Sequence, residues 1–376
     1  MGPQPTPLFL CSYLHHINLC KENSRALHYI RFCNHWDNFE IIFMPNISKI
    51  TLLSVILFCF ISLGCKAQLQ TNSLQLIETT PLQNVSGRID HLNFDSKNNL
   101  VFVAALGNNT VEVVDLKNKK IIHSIKNLHE PQGVVFIAEN NSIAVANGDN
   151  GACDFFNATS FQKISSVPLG DDADNIRYDL ATKKIYVGYG TGGIAIIDAT
   201  SFKLIAQIKF SGHPESFQID RTAKRLYVNV PDEKQIDIID LSQNKILAQW
   251  KLSEASANFP MALDEANHRL FIGCRHPSKL LVLNSETGNI ISSLDIDGDT
   301  DDIFYNASAK EIYVSCGSGF VDVFNQIDAN HYSSNGKTKT NSGARTSLLI
   351  PELHQLIIAA PARAGSSAQL MIFKTK

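Results

Sequence analysis

Apolar residues are grouped along most of the chain in short segments that are separated by polar turns rich in Gly, Asn and Asp. β-Branched and aromatic residues dominate these segments, as in Leu100-Val-Phe-Val-Ala-Ala105 and Arg225-Leu-Tyr-Val-Asn-Val230. After residue 68, no segment keeps a helical period over three turns. The pattern therefore predicts an all-β protein built from short strands.

The strand pattern repeats seven times. Each unit has a strand that ends at an acidic or amide residue, a strand of the type Leu/Ile-Tyr/Phe-Val, a strand that ends near Asp, and a fourth strand. The turn residues that follow the first strands are Asp95, Glu139, Asp179, Asp220, Asp264, Asn306 and Glu352. Four strands in roughly 40–46 residues are typical of β-propeller blades. The pattern favours these blades over an open solenoid or two separate β-domains.

The seventh unit ends early, at Gln369-Leu-Met-Ile-Phe-Lys-Thr-Lys376, and lacks a fourth strand. Residues 74–82 have the pattern of a strand but precede the first unit. Both observations fit a seven-bladed β-propeller with four-stranded blades over residues 68–376. In this arrangement the strand at about 74–82 completes the last blade, which removes most of the exposed strand edges.

Several segments resemble a known family. The segment Phe102-Val-Ala-Ala-Leu-Gly-Asn-Asn-Thr-Val-Glu-Val-Val-Asp115 is similar to the core of the YVTN-repeat β-propellers (YncE-like proteins). Junctions such as Arg88-Ile-Asp-His91 and Gly212-His-Pro-Glu215 also resemble those of one subgroup. The resemblance covers about residues 86–376. It implies an extracytoplasmic propeller, a family without a shared catalytic residue, and a few relatives that bind single-stranded DNA.

The N-terminal part contains a second candidate start, Met44, followed by Lys49 and an apolar run over residues 50–64. The run is shorter than the roughly 20 residues that a membrane span needs, so residues 44–67 are interpreted as a secretory signal. Residues 1–43 are interpreted as disordered upstream translation. Two processing routes fit: lipid attachment at Cys65, or cleavage before Gln68. We expect an exported bacterial protein, either periplasmic or a lipoprotein of the cell envelope that touches the membrane only through its lipid.

The charge of the chain is slightly acidic, with 33 Lys plus Arg against 36 Asp plus Glu and no basic cluster. Binding to nucleic acid phosphates needs clustered positive charge, so nucleic acid is not expected as the principal partner. We expect a monomer that binds a small molecule or a protein at the mouth of the central channel.

Polar residues stand where the chain enters the innermost strand in six of the seven blades, a place where apolar residues such as Phe259-Pro260 of the fifth blade would suffice. Convergent polar groups in a propeller channel predict a ligand site. The candidates are Asp90, His91, Gln132, Asp174, Asn175, Glu215, Asp301, Asp302 and Arg345, with Arg275 from a neighbouring loop. The alternative is that Asp and Asn cap turns here and that Arg345 neutralises part of the rim.

Two units share a richer acidic pattern, Gly170-Asp-Asp-Ala-Asp-Asn175 and Gly298-Asp-Thr-Asp-Asp302. Their oxygen atoms suit Ca²⁺ or another divalent cation, with Asp174, Asn175, Asp301 and Asp302 as candidate ligands. The pattern favours a polar rim without a metal over this cation site. A transition-metal site made of the histidines is disfavoured, because His91, His129 and His213 come from separate blades.

Three functions follow from these patterns. The first is a non-enzymatic binding protein of the cell envelope, because no known catalytic motif occurs in the chain. The second, by fold analogy, is a metal-dependent hydrolase of lactonase type, with an axial cation that activates water and Asp174 or Asp301 as the base. The third is single-stranded DNA binding, which rests on the family resemblance alone.

Overall fold

The computed structural model describes four parts of the chain: residues 29–34, 37–42, 74–190 and 192–376. The chain divides into two units, residues 1–69 and residues 70–376. In the first unit, strand β1 (Tyr29–Asn34) pairs antiparallel with β2 (Asp37–Ile42). The sequence did not predict this hairpin. The predicted signal at 44–67 and its Cys65 lie outside the described residues.

The second unit is a seven-bladed β-propeller, and each blade is an antiparallel sheet of four strands. It begins with β3 (Gln75–Pro81). Blades 1 to 3 contain β4 (Leu92–Asp95), β5 (Leu100–Ala105), β6 (Thr110–Asp115), β7 (Lys120–Ile125); β8 (Pro131–Ile137), β9 (Ser142–Asn147), β10 (Ala152–Asn157), β11 (Lys163–Pro168); and β12 (Ile176–Asp179), β13 (Lys184–Tyr189), β14 (Gly193–Asp198), β15 (Lys203–Lys209).

Blades 4 to 7 follow the same order from the channel outward. They contain β16 (Phe217–Asp220), β17 (Arg225–Val230), β18 (Gln235–Asp240), β19 (Lys245–Lys251); β20 (Ser256–Asp264), β21 (Arg269–His276), β22 (Ser278–Asn284), β23 (Ile290–Asp295); β24 (Thr300–Asn306), β25 (Glu311–Cys316), β26 (Phe320–Gln326), β27 (Tyr332–Lys339); and β28 (Thr346–Ile350), β29 (Gln355–Ala360), β30 (Gln369–Lys374), followed by β3. Short 3-10 turns occur at Leu106–Asn108, Ala138–Asn140, Pro231–Glu233 and Pro351–Leu353.

The hydrophobic core lies between neighbouring blades. The second and third strands of a blade are covered on both faces, so they read as continuous apolar runs; in β5 every residue after Leu100 is buried. The fourth strands lie at the rim and bury few residues, as in β7. One cluster joins Val135 and Phe155 of blade 2 to Ile185 and Ile197 of blade 3. This two-sided burial is what holds each blade against the next.

The acidic residues that mark the repeat end the first strands and hold the following turns. Asp95 is the clearest example: its carboxylate accepts the backbone N–H of Lys97 at 3.0 Å and the side-chain amide of Asn98 at 2.7 Å. Asn99 then takes a left-handed conformation with φ of 54°, which Asn tolerates better than most residues. Asp therefore recurs at the position of Asp95 because the turn needs an acceptor there, whereas the left-handed position of Asn99 is filled by Lys183, Lys224 and His268 in other blades.

The ring closes between the two ends of the propeller. Strand β3 pairs antiparallel with β30, with Leu76 opposite Phe373 and Thr80 opposite Leu370. The last blade thus has one N-terminal and three C-terminal strands, so the predicted seven-bladed fold and its closing strand are confirmed. Among the described residues, no helix is long and apolar enough to cross a membrane.

Candidate functional site at the channel mouth

A polar cavity of about 480 Å³ opens at one end of the central channel. Every blade contributes to its lining, through Arg88, Gln132, Asp174, Glu215, Phe259, Asp301 and Arg345 in blade order. Beneath it is a void of about 10 Å³, which Asp90, His91 and Asn175 also line. A further cavity of about 380 Å³ lies along the innermost strands and is lined partly by Arg177 and Asp302.

The backbone places these side chains in equivalent positions. In blades 1, 3 and 4 the residue two positions before the innermost strand donates its backbone N–H to the second strand of its own blade, so these blades present the same register toward the channel. The corresponding N–H to carbonyl bonds are Asp90 to Ala104 at 2.7 Å, Asp174 to Gly188 at 2.9 Å and Glu215 to Asn229 at 3.0 Å. Polar residues from distant parts of the sequence converge on the channel for this reason.

On one side of the mouth, two arginines satisfy the local carboxylates. Arg275 donates to Asp301 at 2.7 Å and its guanidinium lies 3.7 Å from the ring centre of Phe259. Arg345 donates to Asp299 at 2.8 Å, and its Nε lies 3.2 Å from the second oxygen of Asp301. The two guanidinium groups and the two carboxylates neutralise each other, so little negative charge is left on this side of the mouth to bind a cation.

The floor of the mouth holds a second group of charges. Arg88 donates to Asp90 at 2.7 Å, and His91 lies between Asp90 at 3.7 Å and Asp302 at 3.4 Å. Asp302 also accepts the backbone N–H of Ser347 at 2.7 Å. Burial opposes protonation of His91, but the Asp302 and Asp90 carboxylates raise its pKa to about 10. Burial raises the pKa of Asp90 to about 6 despite its cationic neighbours.

The third group lies across the mouth from the arginines in blade order and contains Asp174, His213 and Glu215. One nitrogen or oxygen atom from each of these side chains lies within 4.8 Å of the others. The His213 ring bonds through Nδ1 to the Gly190 carbonyl at 2.6 Å, while its Nε2 lies 3.8 Å from Asp174. Asn175 is 2 % exposed, and its Oδ1 has no hydrogen-bond partner.

The protonation states of this group are strongly perturbed. Burial and the neighbouring Asp174 raise the pKa of Glu215 to about 8. Burial acts to lower the pKa of His213, but its interactions with Asp174 and the Gly190 carbonyl raise it to about 9. Among the described residues, no Lys, Arg or His nitrogen lies within 4.0 Å of the Glu215 carboxylate. Glu215 is therefore a half-buried acid without a cationic partner at that distance.

Most of the predicted site residues converge as the sequence indicated. Arg275 and Arg345 line the mouth with Gln132, Asp174, Glu215 and Asp301, and Asp90, His91 and Asn175 lie just below. Asp302 instead faces the cavity along the innermost strands. The predicted cation ligands are divided accordingly: in residues 74–190 and 192–376, no close group of three His, Cys, Asp or Glu side chains includes Asp301 or Asp302.

The sequence analysis missed a second set of mouth residues, which stand two positions before the first set. Arg88, Asp172, His213 and Asp299 precede Asp90, Asp174, Glu215 and Asp301, respectively. Arg88, Asp172 and His213 line the mouth cavity, and Asp299 accepts a hydrogen bond from Arg345, which also lines it. Asp172, for example, accepts the side-chain amide of Gln132 at 3.0 Å. This spacing was the available signal.

Comparisons with known proteins confirm the β-propeller fold and give no information about the function. No family model matches the sequence, and no curated protein matches it. Among solved structures, a chain of Kuenenia stuttgartiensis hydrazine synthase is 14% identical, with a TM-score of 0.67, over 78% of this chain and 97% of its own length.

A chain of the mitotic checkpoint complex is also 14% identical, with a TM-score of 0.68, over 80% of this chain and 92% of its own length. In total 1708 chains of solved structures match, which shows how widespread the architecture is. At this identity the similarity shows a β-propeller and nothing about the ligand.

Proposed function

We propose that this protein is an exported β-propeller that binds a small cationic ligand at the mouth of its central channel. One observation supports this most directly: Glu215 is a half-buried carboxyl group beside Asp174, and no Lys, Arg or His nitrogen lies within 4.0 Å of it in the described residues. A cationic ligand would supply the missing charge. The export signal at 44–67 remains a prediction from the sequence.

The charge balance of the cavity supports the same ligand class. Five carboxyl groups and three arginines line it. The arginines are paired with neighbouring carboxylates: Arg275 donates to Asp301, and Arg88 donates to Asp90. What remains are four carboxyl groups, Glu130, Asp172, Asp174 and Glu215, against the single imidazole of His213, so the mouth is acidic even while Glu215 holds its proton. In a partly desolvated cavity this charge favours a cation and disfavours the phosphates of single-stranded DNA.

The hydrolase of lactonase type stays a hypothesis. A cation near Asp174 could activate water, and that residue could then take the proton. The binding of a cation is the step that both functions need, so it is the one to test first.

The test uses purified protein from which metals have been removed with EDTA. Its melting temperature is measured with ethanolamine, choline, putrescine and guanidinium, and with glycerol and acetate as neutral and anionic controls. We expect one or more of the cations to stabilise the protein, by about 2.7 kcal/mol at 100 times its Kd. Glycerol and acetate should have no such effect.

Two variants locate the effect. Glu215→Gln should abolish the stabilisation, whereas Asp149→Asn should not, because Asp149 is 65% exposed and pairs with His129 outside the cavity. The proposal fails if no cation, organic or metallic, stabilises the protein, or if Glu215→Gln responds like the unmodified chain.

A further inference from the structure

We propose that Asp174, His213 and Glu215 bind a divalent transition-metal ion, with Asn175 as a fourth ligand. This inference rests on the proposed function, because it names the cation that the mouth binds. It differs from the site for Ca²⁺ or another divalent cation that the sequence suggested, in which Asp301 and Asp302 joined Asp174 and Asn175. The structure separates those two residues from Asp174 and brings a histidine in their place.

The distances allow an ion to bind with small movements. The three candidate ligand atoms lie within 4.8 Å of one another. An ion bonded at about 2.1 Å to each would hold them about 3.0–3.5 Å apart. The side chains therefore need to close by no more than about 1.8 Å, and a few rotations about side-chain bonds can provide this.

His213 is oriented as a metal-binding histidine. When its Nδ1–H donates to the Gly190 carbonyl, at 2.6 Å, the lone pair of Nε2 faces Asp174. Histidine ligands commonly donate their second ring nitrogen to a carbonyl or carboxylate, which fixes the tautomer and the ring orientation. Without a metal, the imidazolium and Asp174 partly neutralise each other, so binding of the ion replaces a proton on His213.

Asn175 provides independent support. Its side chain is nine-tenths or more buried and lines the void of about 10 Å³ together with Asp174 and Glu215. Its Oδ1 accepts no hydrogen bond, which is costly for a buried acceptor. Amide oxygens are ordinary ligands of divalent cations. Asp174 and Glu215 line both this void and the mouth cavity that His213 lines, so an ion held between them would also satisfy the Asn175 oxygen.

The ligand set indicates the class of metal. Three oxygen donors with one imidazole and no thiolate suit Zn²⁺ or Mn²⁺. Ca²⁺ prefers six to eight oxygen ligands, which this group does not offer. We therefore expect Zn²⁺ and Mn²⁺ to bind more tightly than Ca²⁺.

The test is isothermal titration calorimetry of the EDTA-treated protein with ZnCl₂, MnCl₂ and CaCl₂ in separate experiments. We expect one Zn²⁺ or Mn²⁺ per chain. His213→Gln should weaken binding by more than the roughly 10–100-fold that loss of a supporting partner costs. The matched control is His129→Gln, a half-exposed histidine outside the cluster, which should bind like the unmodified protein.

A second variant keeps the inference testable if His213→Gln does not fold. Asn175→Asp preserves the shape of the side chain and adds a charge, so it should strengthen Zn²⁺ binding while it lowers the melting temperature of the metal-free protein. Weaker or unchanged Zn²⁺ binding in a folded Asn175→Asp protein would contradict the inference.

The outcomes separate this inference from the proposed function. If Zn²⁺ and Mn²⁺ do not bind but an organic cation stabilises the protein, the metal site is wrong and the function stands. If neither binds, both are wrong. Zn²⁺ binding that persists in His213→Gln, or binding of Ca²⁺ alone, also overturns the proposed ligand set.

Discussion

The burial of the residues that flank the closing strand β3 predicts how much unfolding free energy their truncation costs. Leu74 and Leu82 flank this strand and are 2% and 1% exposed. They pack into different clusters: Leu74 with Phe373 and its neighbours, and Leu82 with Leu370 and its neighbours. We therefore expect Leu74→Ala and Leu82→Ala to destabilise the protein independently.

Truncation of a buried leucine to alanine costs about 2–5 kcal/mol, so the double variant should lose about 4–10 kcal/mol. That is comparable with the whole stability of a typical domain, about 5–15 kcal/mol. The matched control is Leu76→Ala with Ile77→Ala on the same strand. Those side chains are 47% and 46% exposed, so each change should cost no more than about 0.5 kcal/mol.

The assay is urea unfolding followed by circular dichroism, with the free energy of unfolding extrapolated to water. The reasoning is refuted if the double variant loses less than about 2 kcal/mol. It is also refuted if the exposed pair costs as much as the buried pair, because burial against the neighbouring blades would then not be what holds β3 in place.

Three further outcomes can be checked on the same protein. The pKa of His91 is raised to about 10, so the stability that its protonation contributes is complete below about pH 6.5 and is lost as the pH rises toward 10. Urea unfolding midpoints at pH 7 and pH 9.5 should therefore differ less in His91→Gln than in the unmodified chain. Gly133→Ala would place a Cβ against the Asp174 carbonyl oxygen, so it should cost about 1–3 kcal/mol in urea unfolding and weaken Zn²⁺ binding. A protein with unchanged stability and Zn²⁺ binding would show that this close approach does not position Asp174. Burial raises the pKa of every cysteine thiol in the propeller, so Ellman's reagent should react only as fast as the protein unfolds, and rapid labelling of the native state would contradict the packing around Cys153, Cys274 and Cys316.

The architecture could be predicted from the sequence because its causes are local and repeated. Asp95, Asp179 and Asp220 each hold the turn after a first strand, and each is followed by a two-sided apolar strand. Counting these units left one strand missing and one strand unassigned, which gave the closure through β3. The hairpin at 29–42 has no repeat to compare it with, and no such reasoning was available for it.

The site could be predicted only in part, because its contacts cross the ring. The entrances to the innermost strands showed which residues face the channel. They did not show that Arg275 and Arg345 would both bind Asp301, since that depends on distances between blades 5, 6 and 7. The histidines were dismissed as dispersed. The structure instead brings one of them, His213, within 4.8 Å of carboxylate atoms of Asp174 and Glu215, a grouping that counting histidines alone does not indicate.

The pairing of β3 with β30 also determines when β3 can join the sheet during synthesis of the chain. These strands lie about 290 residues apart, and ribosomes add about 5–20 residues per second, so β3 waits about 15–60 s for its partner. During that interval Leu74 lacks the strands of blades 6 and 7 that cover it, and Leu82 has only blade 1 to pack against, although most of the other blades can already have formed. A nascent chain of this protein therefore exposes the apolar residues of β3 until β30 has been synthesised. A chaperone that binds exposed apolar segments would act on this strand.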